Sequence, residues 1–106
     1  MIIVTTNDLP GYRVTKVAGL ARGITVRSRS IVGNIGGAIQ SIFGGNISVY
    51  TNLAEQARSE ALGLLTADAQ KMGANAIIAM RYDANEIMDG ITEVLAYGTA
   101  VVVERA

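Results

Sequence analysis

Asp83, Glu86, Asp89 and Glu93 bring four carboxylates into one short stretch of chain. Oxygen donors of this kind suit a hard cation such as calcium. The spacing does not make a calcium loop, because Ile87 and Met88 stand where a ligand and the turn glycine belong. The four residues therefore read as a solvated acidic turn, with no metal assigned. A second group consists of Arg27 and Arg29, joined by Arg22, whose guanidinium forks are built to hold a phosphate or another anion. These three arginines are the candidate anion or ligand contacts. The competing reading gives them ordinary ion pairs with acids of the same or an adjacent subunit.

Other chemistry is poorly supplied. The chain has neither cysteine nor histidine, which removes disulfides, thiol nucleophiles and imidazole bases together. Soft metals want thiolate, imidazole or thioether donors, and only Met1, Met72, Met80 and Met88 offer a soft atom. They are scattered along the chain, and Met72 falls on the apolar stripe of a helix, where methionine fills core space. A hydroxyl or amine nucleophile would depend on a carboxylate, Lys16 or Lys71 as base, and no such constellation stands out. The glycines between Gly33 and Gly45 form neither GxxxxGK[ST] nor a convincing GxGxxG, so nucleotide binding by that route is unsupported. No catalytic residue, cofactor or metal ligand is assigned.

The elements that would position these groups follow from periodicity. Ile2 to Thr6 predicts a short strand, ended by the turn residues Asn7-Asp8-Leu9-Pro10-Gly11. Two further strands are predicted over Tyr12 to Val17 and Ile24 to Arg29, with Gly19 and Gly23 punctuating the region between. In the second, Thr25, Arg27 and Arg29 share one face and Ile24 and Val26 the other, which predicts a half-buried strand with a basic outer side. A long helix is predicted from near Ser48 to Asn52, with Asn52 and Glu55 as a capping pair. Tyr50, Leu53, Ala57, Ala61, Leu64, Leu65, Ala69 and Met72 form its apolar stripe. Lys71 suits its negative end, and Gly73 its left-handed cap. Strands over Ala76 to Ala84 and Ile91 to Glu104 follow, joined by a loop containing Asp89-Gly90. The last is apolar on both faces and must be covered twice. The whole reads as one α+β domain over residues 1–106: N-terminal strands, one long helix and a C-terminal β-hairpin, in a small antiparallel sheet packed on the helix.

Composition points beyond the single chain. Charged residues are 17% of the sequence and apolar ones 50%, a balance that leaves more apolar surface than a small monomer comfortably hides. No charge occurs from Ile31 to Ala54, and Ile35, Ile39, Ile42 and Phe43 recur there with Ile31 at helical spacing. That pattern fits a helix against other subunits, and equally a glycine-rich loop on the chain's own core. Polar and glycine residues interrupt it too often for a membrane span. Arg13, Lys16, Arg22, Arg27 and Arg29 face only Asp8 in residues 1–30, whereas residues 55–106 hold eight acids and four bases. Complementary ends could pair subunits, while a net charge of zero gives no field for nucleic acid or an anionic membrane. Nothing at the N-terminus resembles a signal peptide, and a cytoplasmic location is expected.

Gly44-Gly45, Tyr50, Ala57-Arg58, Gly73-Ala74-Asn75-Ala76 and Gly98-Thr99-Ala100-Val101 resemble the pattern of the YbjQ-like family. Thr5-Thr6, Pro10-Gly11, Gly19 and Gly23 fit its N-terminal half, so the likeness spans nearly the whole chain. The resemblance implies an α+β subunit in a homopentamer, in a family of unknown role often labelled heavy-metal-binding. It carries no catalytic residue with it. This chain departs from the pattern at Asn46, where many members are charged, in the neutral segment before it, and at Ala79, which replaces a common glycine. The expected function is a homo-oligomeric binding or structural module, its interface including Ile35, Ile39, Ile42 and Phe43. The alternative is an enzyme or small-ligand carrier whose site forms between subunits.

Overall fold

Gly73 ends the helix and turns the chain into the sheet, and the fold builds outward from it. The computed structural model describes residues 1–28 and 48–106. Helix α1 covers Ser48–Lys71. Past it, Gly73 takes a positive φ of 81°. Its N–H donates to the Gln70 carbonyl at 3.0 Å and the Ala74 N–H to the Ala69 carbonyl at 3.1 Å. This pair of bonds is a Schellman cap, with Ala69 and Ala74 buried together beneath it. The cap expected at Gly73 is present. The helix begins at Ser48, within the expected stretch from Ser48 to Asn52, but Asn52 and Glu55 lie inside it and are exposed, so they are not its capping pair.

Strands β1 (Ile2–Ile3), β2 (Tyr12–Ser28), β3 (Ala76–Met88) and β4 (Ile91–Arg105) make one sheet in the order β1-β3-β4-β2. The β3–β4 and β2–β4 pairs are antiparallel. The sheet is nonetheless mixed, because β1 runs parallel to β3. This corrects the purely antiparallel expectation: β1 and β2 occupy opposite edges and run the same way, so the chain between them crosses one end of the sheet. Leu9 and Tyr12 pack there on Ala76, Val101 and Val103.

The strands expected over 12–17 and 24–29 are one continuous strand. Its irregularities lie between Val14 and Lys16 and between Val17 and Gly19, so Gly19 marks a bulge and not a break. β3 runs on to Met88, past the expected end at Ala84, and Asp89-Gly90 alone makes the turn, Gly90 taking a φ of 78°. Asn85 and Glu86 lack the alternation that would announce a strand, and they join the ladder because Glu93 and Thr92 lie opposite.

The main core lies between α1 and one face of the sheet. Ala57, Ala61, Leu65 and Ala69 form the buried helix stripe, narrower than expected, with Tyr50 and Leu64 exposed at its margins. Small side chains let the helix approach closely: a Cβ on Gly23 of β2 would lie 2.2 Å from the Ala61 carbonyl oxygen and 2.3 Å from the Leu65 nitrogen. No helix among the described residues is long and apolar enough to cross a membrane.

Candidate functional site

The close approach at Gly23 decides which side of β2 is inside. Ala21, Gly23, Thr25 and Arg27 face the helix, and Thr25 is 5% exposed. The expected assignment, with Ile24 and Val26 inward and Thr25 and Arg27 outward, is reversed. Packing a helix backbone against a strand needs the face with the least side-chain bulk, and here that face is Ala21 and Gly23.

The reversal builds two surfaces. The first is the far side of the sheet. Opposed residues of an antiparallel pair share a face, so Leu20 lies with Thr99, Ile24 with Leu95 and Val26 with Glu93 on the side away from α1. The bulge after Val17 keeps Val14 and Val17 on that side too, opposite Val103 and Val101. Along β2, Val17 is 64% exposed, Leu20 65%, Ile24 44% and Val26 50%. The N-terminal crossing covers one end of this face, over Val101 and Val103, and among the described residues β4 is covered on both sides there.

The second surface is a cavity of about 600 Å³ between the N-terminal half of α1 and the β3–β4 hairpin. Leu53, Ala57 and Arg58 form its helix wall. The register places Arg27, Thr92 and Glu86 in one row across the sheet wall, with Val94 and Ala84 in the next row. Arg27 donates through Nη2 to Glu60 Oε2 at 2.6 Å, and the Thr25 hydroxyl donates to Glu60 Oε1 at 2.8 Å. The hydrogen bond from Arg27, and then that from Thr25, hold the Glu60 carboxyl below its ordinary pKa. The Arg58 guanidinium lies over the Tyr82 ring, 5.2 Å from its centroid. Glu86 is turned to its own hairpin, where Oε1 accepts the Gly90 N–H at 2.9 Å.

Of the three arginines singled out in the sequence, Arg27 lines this cavity. Arg22 falls on the alternate side of β2 beside Tyr97 and Arg81, its backbone N–H donating to Asp68 Oδ2 at 3.0 Å, so the subunit does not bring it to Arg27. Arg29 lies outside the described residues, as do Ile35, Ile39, Ile42 and Phe43. The four carboxylates of the acidic turn are divided: Asp83 and Glu93 belong to rows on the far face, Glu86 to the cavity row, and Asp89 to the turn. Sequence reasoning missed Glu60, Thr25 and Arg58 as parts of the site. Arg58 belongs to the Ala57-Arg58 pair of the family pattern, which was the one signal pointing to it.

The model of the YbjQ family, described as "Putative heavy-metal-binding", matches residues 1–104. The chain belongs to this family. A UPF0145 protein of Burkholderia thailandensis is 59% identical over 105 residues, which is 99% of this chain and 95% of that protein. A UPF0145 protein of Burkholderia mallei is 58% identical over the same shares. Among solved structures, a protein of unknown function of the DUF74 family from Pediococcus pentosaceus superposes with a TM-score of 0.65 over 98% of both chains. Its 18% identity makes that a likeness of fold alone.

The donor set of this YbjQ-family chain does not fit the metal in the family description. Thiol and imidazole are absent from the sequence. Met72 and Met80 pack in the main core, whereas Met1 and Met88 are exposed. Among the described residues no three carboxylates gather where one ion could be held. The family motif Gly73-Ala74-Asn75-Ala76 has a folding explanation instead. Beyond the cap, the Asn75 amide donates to the Val103 carbonyl at 3.0 Å and accepts the Val103 N–H at 2.8 Å, pinning the start of β3 to β4.

Proposed function

We propose that the chain is a homo-oligomeric binding or structural module of the cytoplasm, pentameric as its family resemblance implies, in which the far side of the sheet is a surface between copies. The single observation that carries this reading is the run of Val14, Val17, Leu20, Ile24 and Val26, exposed along one side of one strand. Exposed apolar side chains gathered in this way on a small protein, here interrupted on the same side by Arg22, mark an interaction site. Closed rings of identical subunits are the common way to cover it. Ile35, Ile39, Ile42 and Phe43 are further candidate interface residues under the same reading.

Native mass spectrometry of the purified chain tests this. The expected species is a multiple of the 11.1 kDa subunit. The double variant Leu20→Lys, Ile24→Lys is expected to fall to the monomer while its far-UV circular dichroism stays unchanged. A monomeric wild-type chain overturns the reading.

A further inference from the structure

We propose that the cavity between α1 and the β3–β4 hairpin binds an organic carboxylate with an apolar body, the acid group held by Arg58 and the body lying on Leu53, Ala57 and Val94. The cavity, at about 600 Å³, falls within the range of roughly 300–1,000 Å³ typical of small-molecule sites. Its composition is also of that kind, apolar walls with a few polar groups among them.

The charges of the cavity select the sign of the ligand. Arg27 is closed by Glu60 at 2.6 Å, a pair that is already neutral. Glu86 spends one oxygen on the Gly90 N–H of its own turn. Of the two arginines that line the cavity, Arg58 is the one with no carboxylate within ion-pair distance among the described residues. Its guanidinium carbon lies over the Tyr82 ring, a cation–π contact that engages the charge without using the N–H donors. That fork matches the two oxygens of a carboxylate, and a charge-assisted bidentate bond is the strong form of the contact. Leu53 is half-buried, so an apolar body that covers its exposed part replaces water there at a gain, with the nearly buried Ala57 and Val94 as the floor beneath it.

Isothermal titration calorimetry with octanoate tests the proposal, with octan-1-ol and octylamine as comparators of the same chain length. Octanoate is expected to bind saturably, one per chain, and octan-1-ol about tenfold more weakly or worse, the factor that corresponds to losing a charged hydrogen bond. Octylamine is expected not to bind. Arg58→Met, which keeps the apolar stem, should weaken octanoate by a similar factor, and Arg58→Lys should restore part of the loss. The variant Leu20→Lys, Ile24→Lys, altered on the opposite face of the sheet, should bind octanoate as the wild type does. That arm separates the cavity from the far face, so this proposal and self-association can fail independently. Absence of saturable octanoate binding, equal binding of octan-1-ol, or an Arg58→Met variant with unchanged affinity overturns it.

Discussion

Glu60 shows how a single residue joins the helix to the sheet. It sits on α1 and accepts from Thr25 and Arg27, both on β2, at 2.8 and 2.6 Å. Thr25 is almost wholly buried, and without Glu60 its hydroxyl would lose its partner in a place that water does not reach. A carboxyl held below its ordinary pKa contributes stability in full above its unfolded value, about 4.3, and that contribution is lost as pH falls through the lower folded value. The melting temperature of the wild type should therefore drop below about pH 4 more steeply than that of Glu60→Gln. Parallel curves for the two proteins between about pH 6 and pH 3 would show that the pair adds nothing to acid stability. Ala79 is a second residue with local consequences. Its φ of 53° places a non-glycine residue in the left-handed region, at the irregularity of β3 between Ile78 and Arg81. Its N–H donates to Thr6 at 2.8 Å and that of Met80 to Val4 at 3.0 Å, the contacts that hold the conformation.

At the scale of elements, the contact between α1 and β2 orders everything else. Gly23 admits the helix backbone, whereas Gly63, on the exposed side of the same helix, has open space around it. Adding one methyl group at each should act in opposite directions. Gly23→Ala drives a Cβ into the backbone at Ala61 and Leu65 and should cost about 1–3 kcal/mol. Gly63→Ala removes backbone freedom from a helix interior and should gain about 0.5–1 kcal/mol. Urea midpoints of the two variants against the wild type measure both, and a Gly23→Ala protein as stable as the wild type would mean that the helix does not sit this close. β2 itself illustrates why the sequence misled here. Glycines usually interrupt strands, and an apolar face is usually the buried one. Gly19 is absorbed by a bulge, and the buried face is chosen by Gly23 because of a helix some 40 residues further along the chain.

Across the whole molecule, the charge asymmetry between the two ends of the chain is partly closed within the subunit, since Arg13 pairs with Glu104 and Arg27 with Glu60. Self-association through the far face should accordingly rest mainly on the apolar residues of β2, although Arg22, Arg81, Asp83 and Glu93 lie in rows of the same face. Sedimentation in about 1 M salt, where the Debye length shrinks to about 3 Å, is expected to find the assembly intact. Dissociation at that salt concentration would assign it to charge pairs instead.

The sequence by itself determined the α+β class, the helix with its stop at Gly73, the hairpin turn at Asp89-Gly90 and the family, because each depends on local periodicity, turn chemistry or a short motif. Only the tertiary structure decided the parallel pairing of β1, the inward face of β2 and the meeting of Thr25, Arg27 and Glu60. It also decided the cavity beside Arg58. These depend on contacts between residues far apart in the chain, and a strand with small residues on one side and large apolar ones on the other does not announce which side another element will approach. Close packing against Gly23 made that choice, and it left the larger apolar side chains outside.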